Sequence, residues 1–323
     1  MNLLRNLFVA TVLAATCAPA PSALAQSYPS KPVRVIVAFT AGSATDIFAR
    51  AVADTLSKAL GQPVVIENRP GAGGTIAAGA VAKADPDGYT FLVHSAGHTV
   101  NPAIYPNLAY DTAKDFAGVS PLANLPNVMV APPGRYKTVQ DVVAAGKASP
   151  AKLNFGSAGN GSATHMNAEK FRAAAGFEAV HVPFKGTPEA LSETMAGRLD
   201  FFFAPIVSAL QLIREGKLTP LAVGTAKRAV LLPEIPSTVE LGFPGSDFNF
   251  WIGLFAPAKT PRDIVNRMNL EVTRALQSPE VRERYATLGA EPFPMKPEEF
   301  DAYVASEIEL NGKIVRAAGI KAN

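Results

Sequence analysis

The sequence predicts an α/β protein of two lobes joined by two crossovers, each lobe a mainly parallel sheet flanked by helices. Three observations carry this. Short β-branched runs alternate with helical patterns along most of the chain, the mark of βαβ units. The 323 residues exceed what one ordinary core holds. Two irregular, proline-marked stretches, Asn124-Leu125-Pro126 and residues 232–249, interrupt the alternation where the chain would pass between lobes.

Val33 to Phe39 (VRVIVAF) is a continuous apolar run with a single Arg, as a buried parallel strand reads. It stops at Thr40-Ala41-Gly42-Ser43. Asp46 to Leu60 then carries Ile47, Phe48, Ala51, Val52, Leu56 and Leu60 at helical spacing. Ser43 or Thr45 can cap its start, and Gly61 with Pro63 ends it. Val64 to Ile66 is the next strand. Gly-rich 71–74 leads into a small-residue helix over 75–83, and Tyr89 to Val93 is a strand. Strands over 119–122 and 128–130 flank the first crossover. Beyond it, helices over 138–147, 164–175, 188–196 and 208–214 alternate with strands over 153–156, 180–182, 200–203 and 221–224. Residues 232–249 form the route back. Thr260-Pro261 opens an amphipathic helix, with Pro at its first helical position, and 298–318 closes the chain as helix. The lobes are therefore 26–124 with 250–323, and 125–249.

The first residues are set aside as an export leader. Arg5 supplies a positive start, 7–15 is apolar but too short to span a bilayer, and Ala23-Leu24-Ala25 reads as a cleavage site. The sole cysteine, Cys17, lies inside this segment behind Thr16. A soluble export product is expected, with no disulfide, thiolate metal site or Cys nucleophile. Charged residues make up 18% and hydrophobic ones 48%, ample for folding. Basic and acidic residues nearly balance, 30 against 27, which leaves no nucleic-acid footprint.

Small ligands of such folds bind where strands end and helices begin, between domains. Thr40 to Thr45, with Phe39, Thr40, Ala41, Ser43 and Ala44 as candidate contacts, places free N–H groups and hydroxyls at a helix N-terminus, which suits an anion. Capping alone also accounts for these residues. Asn154 to His165 repeats the arrangement in the other lobe, offering Ser157, Ala158, Asn160, Thr164 and His165. The helix dipole should keep His165 neutral. A third strand end offers Ser95 and His98. His94 and His98 are four apart, but a metal pair needs helical placement and this stretch follows a strand. Phe39, Phe184, Phe201 to Phe203, Phe250 and Trp251 supply aromatic surface; alternation puts Phe201 and Phe203 on one face and Phe202 on the other.

Catalytic patterns are missing. There is no H-E-x-x-H or G-x-S-x-G; Gly71-Ala72-Gly73 lacks the third Gly of a dinucleotide loop, with Ile76 in its place; and no P-loop occurs. No catalytic residue, cofactor or metal is expected.

The loops and their connecting phrases resemble a known family, the Bug receptors, which are the solute-binding components of tripartite tricarboxylate transporters. The resemblance rests on Tyr28-Pro29-Ser30-Lys31-Pro32-Val33-Arg34, the run GQPVVIENRPGAGG over 61–74, and Asp87-Gly88-Tyr89-Thr90 with Asp115-Phe116. It continues through SAGNGS over 157–162, His181-Val182-Pro183, Lys185-Gly186, Ala222-Val223, Ala256-Pro257-Ala258, Thr260-Pro261 and LGAEP over 288–292. It implies a two-lobe periplasmic-binding (Venus flytrap) fold, a small organic carboxylate gripped in the interlobe cleft by the loops at 40–45 and 157–164, and membrane subunits of the transporter as partners. It implies no enzyme. The departures bear on the ligand. Where many relatives have Pro-Gly-Gly-Gly-Thr-Asp, this chain has Ala41-Gly42-Ser43-Ala44-Thr45-Asp46; Phe184 replaces a Tyr; and Phe203-Ala204-Pro205 replaces Phe-Asp-Asn. Ala204 removes an acid that would suit a ligand ammonium, so a non-amino carboxylate is expected, including aromatic ones such as terephthalate, with Phe184, Phe203 and Ala204 as contacts. The expectation is a soluble, monomeric periplasmic receptor. The alternatives are a receptor that feeds a signalling partner, and a secreted hydrolase.

Overall fold

The computed structural model describes residues 28–317, 319 and 320. The leader, with Cys17 and the expected cleavage site, lies outside the described residues.

Two sheets organise the chain. The first contains β1 (Val33–Val37), β2 (Val64–Asn68), β3 (Thr90–Ser95), β4 (Phe116–Leu125), β10 (Phe250–Pro257) and β11 (Glu291–Pro292), in the spatial order β11-β4-β10-β3-β1-β2. The second contains β5 (Asn127–Ala131), β6 (Asn154–Ser157), β7 (Val180–Pro183), β8 (Phe201–Pro205) and β9 (Thr219–Val223), in the order β7-β6-β8-β5-β9. The helices are α1 (Ala44–Leu60), α2 (Thr75–Ala82), α3 (Gly97–Ile104), α4 (Val139–Ala148), α5 (Ala163–Ala175), α6 (Thr187–Met195), α7 (Ile206–Arg214), α8 (Arg262–Gln277), α9 (Pro279–Thr287) and α10 (Pro297–Ala317).

Pro126 separates β4 from β5. It has no N–H to give to a ladder, so the strand leaves one sheet there and joins the other. The return passes through residues 224–249 and enters β10, whose first residue, Phe250, pairs with Leu125.

The sheets are mixed, and this corrects the expectation that each is mainly parallel. β1 runs parallel to β2 and β3, but β10 is antiparallel to both β3 and β4, and β11 to β4. In the second sheet β5 is antiparallel to β8 and β9, while β6 pairs parallel with β7 and β8. For β5 and β10 the cause is the crossover: a strand that arrives from the other lobe enters its sheet at the cleft end and so runs against the strands that end there.

β10 (FWIGLFAP) is buried along its whole length and was missed by the sequence reading. So were α3, which carries Pro102 inside it, and α9, which opens with Ser278 capping the Val281 N–H. Pro261 stands at the N-cap of α8 and not at its first helical position. Each face of the second sheet has its own core. Phe201 and Phe203 pack with Phe155 and Phe171 on one side, Phe202 with Ile206 and Leu210 on the other, as strand alternation requires. Ala158, Ala163 and Met166 of the second lobe pack into the core cluster of the first, so the lobes are closed on one another.

Candidate functional site

The loop between β1 and α1 is braced from behind. The Asn68 side-chain amide donates to the Phe39 carbonyl at 2.9 Å and to Asp46 Oδ1 at 3.0 Å. Asp46 in turn accepts from the Gly42 N–H at 3.0 Å and from Arg50 at 2.9 Å. With its carboxylate spent on the loop and on Arg50, Asp46 presents no free charge. Ser43 occupies the N-cap of α1, but its side chain caps no N–H of that helix. The first-turn donors of α1 are therefore left for another acceptor.

The loop between β6 and α5 is built differently. Ala158 N–H donates to Thr164 Oγ1 at 2.9 Å, Gly159 N–H to Ser157 Oγ at 2.9 Å and Gly161 N–H to His165 Nδ1 at 3.1 Å. Gly159 (φ 120°) and Gly161 (φ 75°) supply the backbone conformations this folding-back needs. Ser162 caps α5 by accepting from the His165 N–H, and its hydroxyl lies 3.0 Å from that of Thr164. One proton bridges the two hydroxyls, which leaves the other free to donate outward.

A third helix start joins them. α6 begins at Thr187, whose N–H donates to Ser43 Oγ at 3.1 Å. Ser43 Oγ is the acceptor there, and its own proton has only the long 3.5 Å contact to Thr40 Oγ1, whose proton goes to Glu189. The N-termini of α1, α5 and α6 thus converge on one cavity of about 20 Å³, lined by Phe39, Ser43, Ala44, Thr45, Ser95, Ala158, Ser162, Ala163, Thr164, Thr187, Pro205 and Phe250. That is room for one or two water-sized groups, such as a single carboxylate end. No charged side chain lines it. The lining is mostly apolar, its polar residues are hydroxyls, and among the described residues the buried Thr45 hydroxyl has no partner. Three helix dipoles point positive ends at this space. An anion is favoured there; a cation would meet no carboxylate.

Outside the cavity, the lobes also meet through Thr40, whose hydroxyl donates to Glu189 at 3.2 Å, and Tyr105, whose hydroxyl donates to the Asn160 carbonyl at 3.0 Å. A wider groove of about 440 Å³ opens here, lined by Gly71–Gly73, Tyr105, Gly159, Asn160, Phe184, Lys185 and Glu189.

Of the expected contacts, Phe39, Ser43, Ala44, Ser95, Ala158 and Thr164 line the cavity. Asn160 and Phe184 line the outer groove. Thr40 bridges to Glu189, and Ala41 is exposed beside it. The others lie elsewhere. His98 is fully buried in the first lobe between the rings of His94, Tyr110, Phe116 and Phe255. Phe203 is core of the second lobe and Ala204 faces the opposite core; alternation along β8 turns both away, and Pro205 reaches the cavity in their place. Ser157 and His165 stand behind their loop, holding its amides. Thr45 and Ser162 belong to the two expected loops and Phe250 to the expected aromatic surface, though none of the three is among the single contacts expected there; Thr187 and Pro205 were not anticipated. The sequence signal for Ser162 was its N-cap spacing before α5; for Thr187 it was the Gly-Thr-Pro start of a helix.

The chain's four histidines are all held neutral. Burial pushes His94 and His181 down to about 4. Burial first, then the neighbouring His94, lowers His98 far below its usual value. His165 is lowered likewise, by burial first and then by His181 and Arg172. Among the described residues no cluster of His, Cys, Asp and Glu could hold a metal ion, and no helix is long and apolar enough to cross a membrane.

Residues 48–320 match the model of the tripartite tricarboxylate transporter family receptors. The chain is 34% identical over 324 residues to BugT of Bordetella pertussis, covering 99% of both chains. It superimposes on an R. palustris protein solved with adipate at TM-score 0.87 and 35% identity, covering 91% of this chain and 99% of that one. It is also similar to MatC of Rhodopseudomonas palustris with bound malate, at TM-score 0.85 and 35% identity, covering 89% of this chain and all of that one.

Proposed function

The chain belongs to the tripartite tricarboxylate transporter receptor family, a family of solute-binding receptors and not of enzymes, and we propose that this member captures an aliphatic dicarboxylate of four to six carbons in the periplasm. One observation carries the reading: the buried, unpartnered Thr45 hydroxyl faces a cavity ringed by helix N-termini and free of charged side chains. One carboxylate of the ligand takes the hydroxyls of Ser43, Thr45, Ser162 and Thr164 and the first-turn amides of α1. The remainder reaches toward the outer groove at Lys185. Adipate and malate, the ligands of the similar structures, have this chemistry.

A cavity of about 20 Å³ does not admit a whole dicarboxylate, so the lobes part to load. The hinge lies at Pro126 and near Asn249, where β4 and β10 leave the first sheet, and 125–249 swings as the second lobe. Closure then follows from tighter binding to the closed form. The closed receptor, a monomer, docks on the membrane subunits of its transporter. An aromatic acid such as terephthalate is the second reading. Phe39 and Phe250 favour it by lining the cavity, whereas Phe201 to Phe203 are core.

The test is calorimetric titration of residues 26–323 with adipate, malate, citrate and terephthalate, paired with thermal shift. Ligand at 100 times its dissociation constant adds about 2.7 kcal/mol of stability. Adipate or malate binding tightest is the expected result. Terephthalate outcompeting both would establish the second reading, and binding of none would overturn the assignment. Loss of uptake of the identified acid in a deletion strain would place the receptor in transport; unchanged uptake would point to signalling.

A further inference from the structure

The second-lobe loop owes its shape to two imidazoles that never reach the cavity. His165 Nδ1 accepts the Gly161 N–H at 3.1 Å. An imidazole nitrogen that accepts carries no proton, so the ring's proton sits on Nε2. Nε2 lies 3.7 Å from Glu169 Oε1, an acceptor for that proton's charge. His181 acts through one hydroxyl. Its Nε2 is 2.6 Å from Ser157 Oγ, and Ser157 Oγ already accepts the Gly159 N–H. With the Ser157 proton on this contact, His181 Nε2 is the acceptor and the proton of that ring is on Nδ1. The rings stack face to face at 3.8 Å with 14° between their planes, and Phe155 stacks on both.

We propose that His165 and His181 are positioning residues for anion capture: as neutral rings of opposite tautomer, they pull the Gly161 and Gly159 amides back from the cleft and so fix Ala158, Ser162 and Thr164 in place to meet the ligand. The pairing is chemically restrictive. A proton added to His165 Nδ1 meets the Gly161 N–H head on, and one added to His181 Nε2 leaves the Ser157 hydroxyl donating against a donor. Either also places a cation 3.8 Å from its neighbour. The charged groups facing the pair are Glu169 and Arg172 of α5. Arg172 bridges Glu169 to Glu178, so the one acid near His165 is already paired. The effect on affinity rests on the function proposed above; the tautomers do not, and the two are tested separately.

Imidazole ¹⁵N spectra of the ligand-free full-length protein at pH 7 should give the Nε2–H tautomer for His165 and the Nδ1–H tautomer for His181. Reversed tautomers or an imidazolium at either site would overturn the proposal. In titrations with adipate, His165→Asn, whose amide keeps an acceptor near Nδ1, and His181→Gln, which keeps one near Nε2, should stay within about threefold of the parent. His165→Leu and His181→Phe should each lose tenfold or more, with the Gly161 or Gly159 amide resonance displaced. If the apolar variants do not fold, the Asn and Gln variants decide: amide resonances at Gly161 and Gly159 that stay at the parent positions support the proposal, and displaced ones refute it. Adipate failing to bind the parent would defeat the functional reading while the tautomers and amide shifts still decide this one.

Discussion

The Ser43 hydroxyl, at the start of α1 in the first lobe, accepts the Thr187 N–H that opens α6 in the second, at 3.1 Å and across 144 positions of sequence. One helix start thus ties down the next. Ser43 gives up capping its own helix, which keeps the α1 amides open toward the cavity while the lobes are held shut.

Thr45 is the sharpest test of the cavity. Among the described residues its hydroxyl has no partner, so Thr45→Val removes no hydrogen bond that they make. A hydrogen bond to a charged group contributes about 1.5–3 kcal/mol. The melting temperature without ligand should stay within a degree or two, while the dissociation constant for the preferred acid rises roughly 10- to 100-fold by calorimetry. An unchanged affinity would place the anion elsewhere.

Gly186 is needed for closure. Its backbone is extended (φ −173°, ψ −179°), so alanine fits the local chain. A Cβ there would stand 1.9 Å from Thr40 Oγ1 and 2.7 Å from Ser43 Oγ across the cleft. Gly186→Ala should fold normally and lose roughly tenfold in affinity, an overpacking cost of about 1–3 kcal/mol borne by the closed form alone. Small-angle scattering at saturating ligand should show a larger radius of gyration than the parent; an identical radius and affinity would refute the close approach.

Glu189 places a carboxylate at the rim of an anion site, accepting from Thr40. Glu189→Gln keeps an oxygen for Thr40 and removes the like charge. At an effective dielectric between that of water and that of a protein surface, this is worth about 1 kcal/mol, so affinity for a dianion should rise about fivefold in low salt, with a smaller gain in high salt. A weaker-binding variant would mean that the charge itself holds the lobes together.

Stability should fall on mild acidification. All four histidine values lie below the unfolded value near 6.5, so the unfolded chain binds more protons as pH drops. The stability these rings contribute is intact above about 6.5 and is lost as pH falls from there toward about 4, at up to roughly 1.4 kcal/mol per pH unit for each ring. Asp301 and Glu307, whose carboxyls burial raises, pull the other way, through the carboxylate range. Denaturant melts at pH 7 and 5.5 check this; equal stabilities would contradict the buried neutral rings.

Much of the fold was legible. Val33 to Val37, α1 with its Gly61 cap, and the face-to-face alternation of Phe201 to Phe203 followed from local pattern, because each is decided by which residues are apolar and at what period. β10 was not legible. Buried on both faces, it shows no alternation, and what makes it a strand is pairing with β3 and β4. Nor was α3: Gly97 and Pro102 signal a break, yet α3 packs on α10 and Asn311 bonds Thr99 at 3.0 Å.

By itself, the sequence determined the two-lobe α/β plan and the chemistry of the site: hydroxyls and glycines placed where strands turn into helices, a pattern that favours an anion. Only the tertiary structure decided which of those groups face one another. Thr187 and Pro205 reach the cavity because α6 and β8 are carried to it by a sheet assembled from distant segments, and His98 leaves it because the first turn of α3 carries it into an aromatic core. Residue type is local information. Direction depends on strand order and on the approach of two lobes, which no stretch of chain encodes alone.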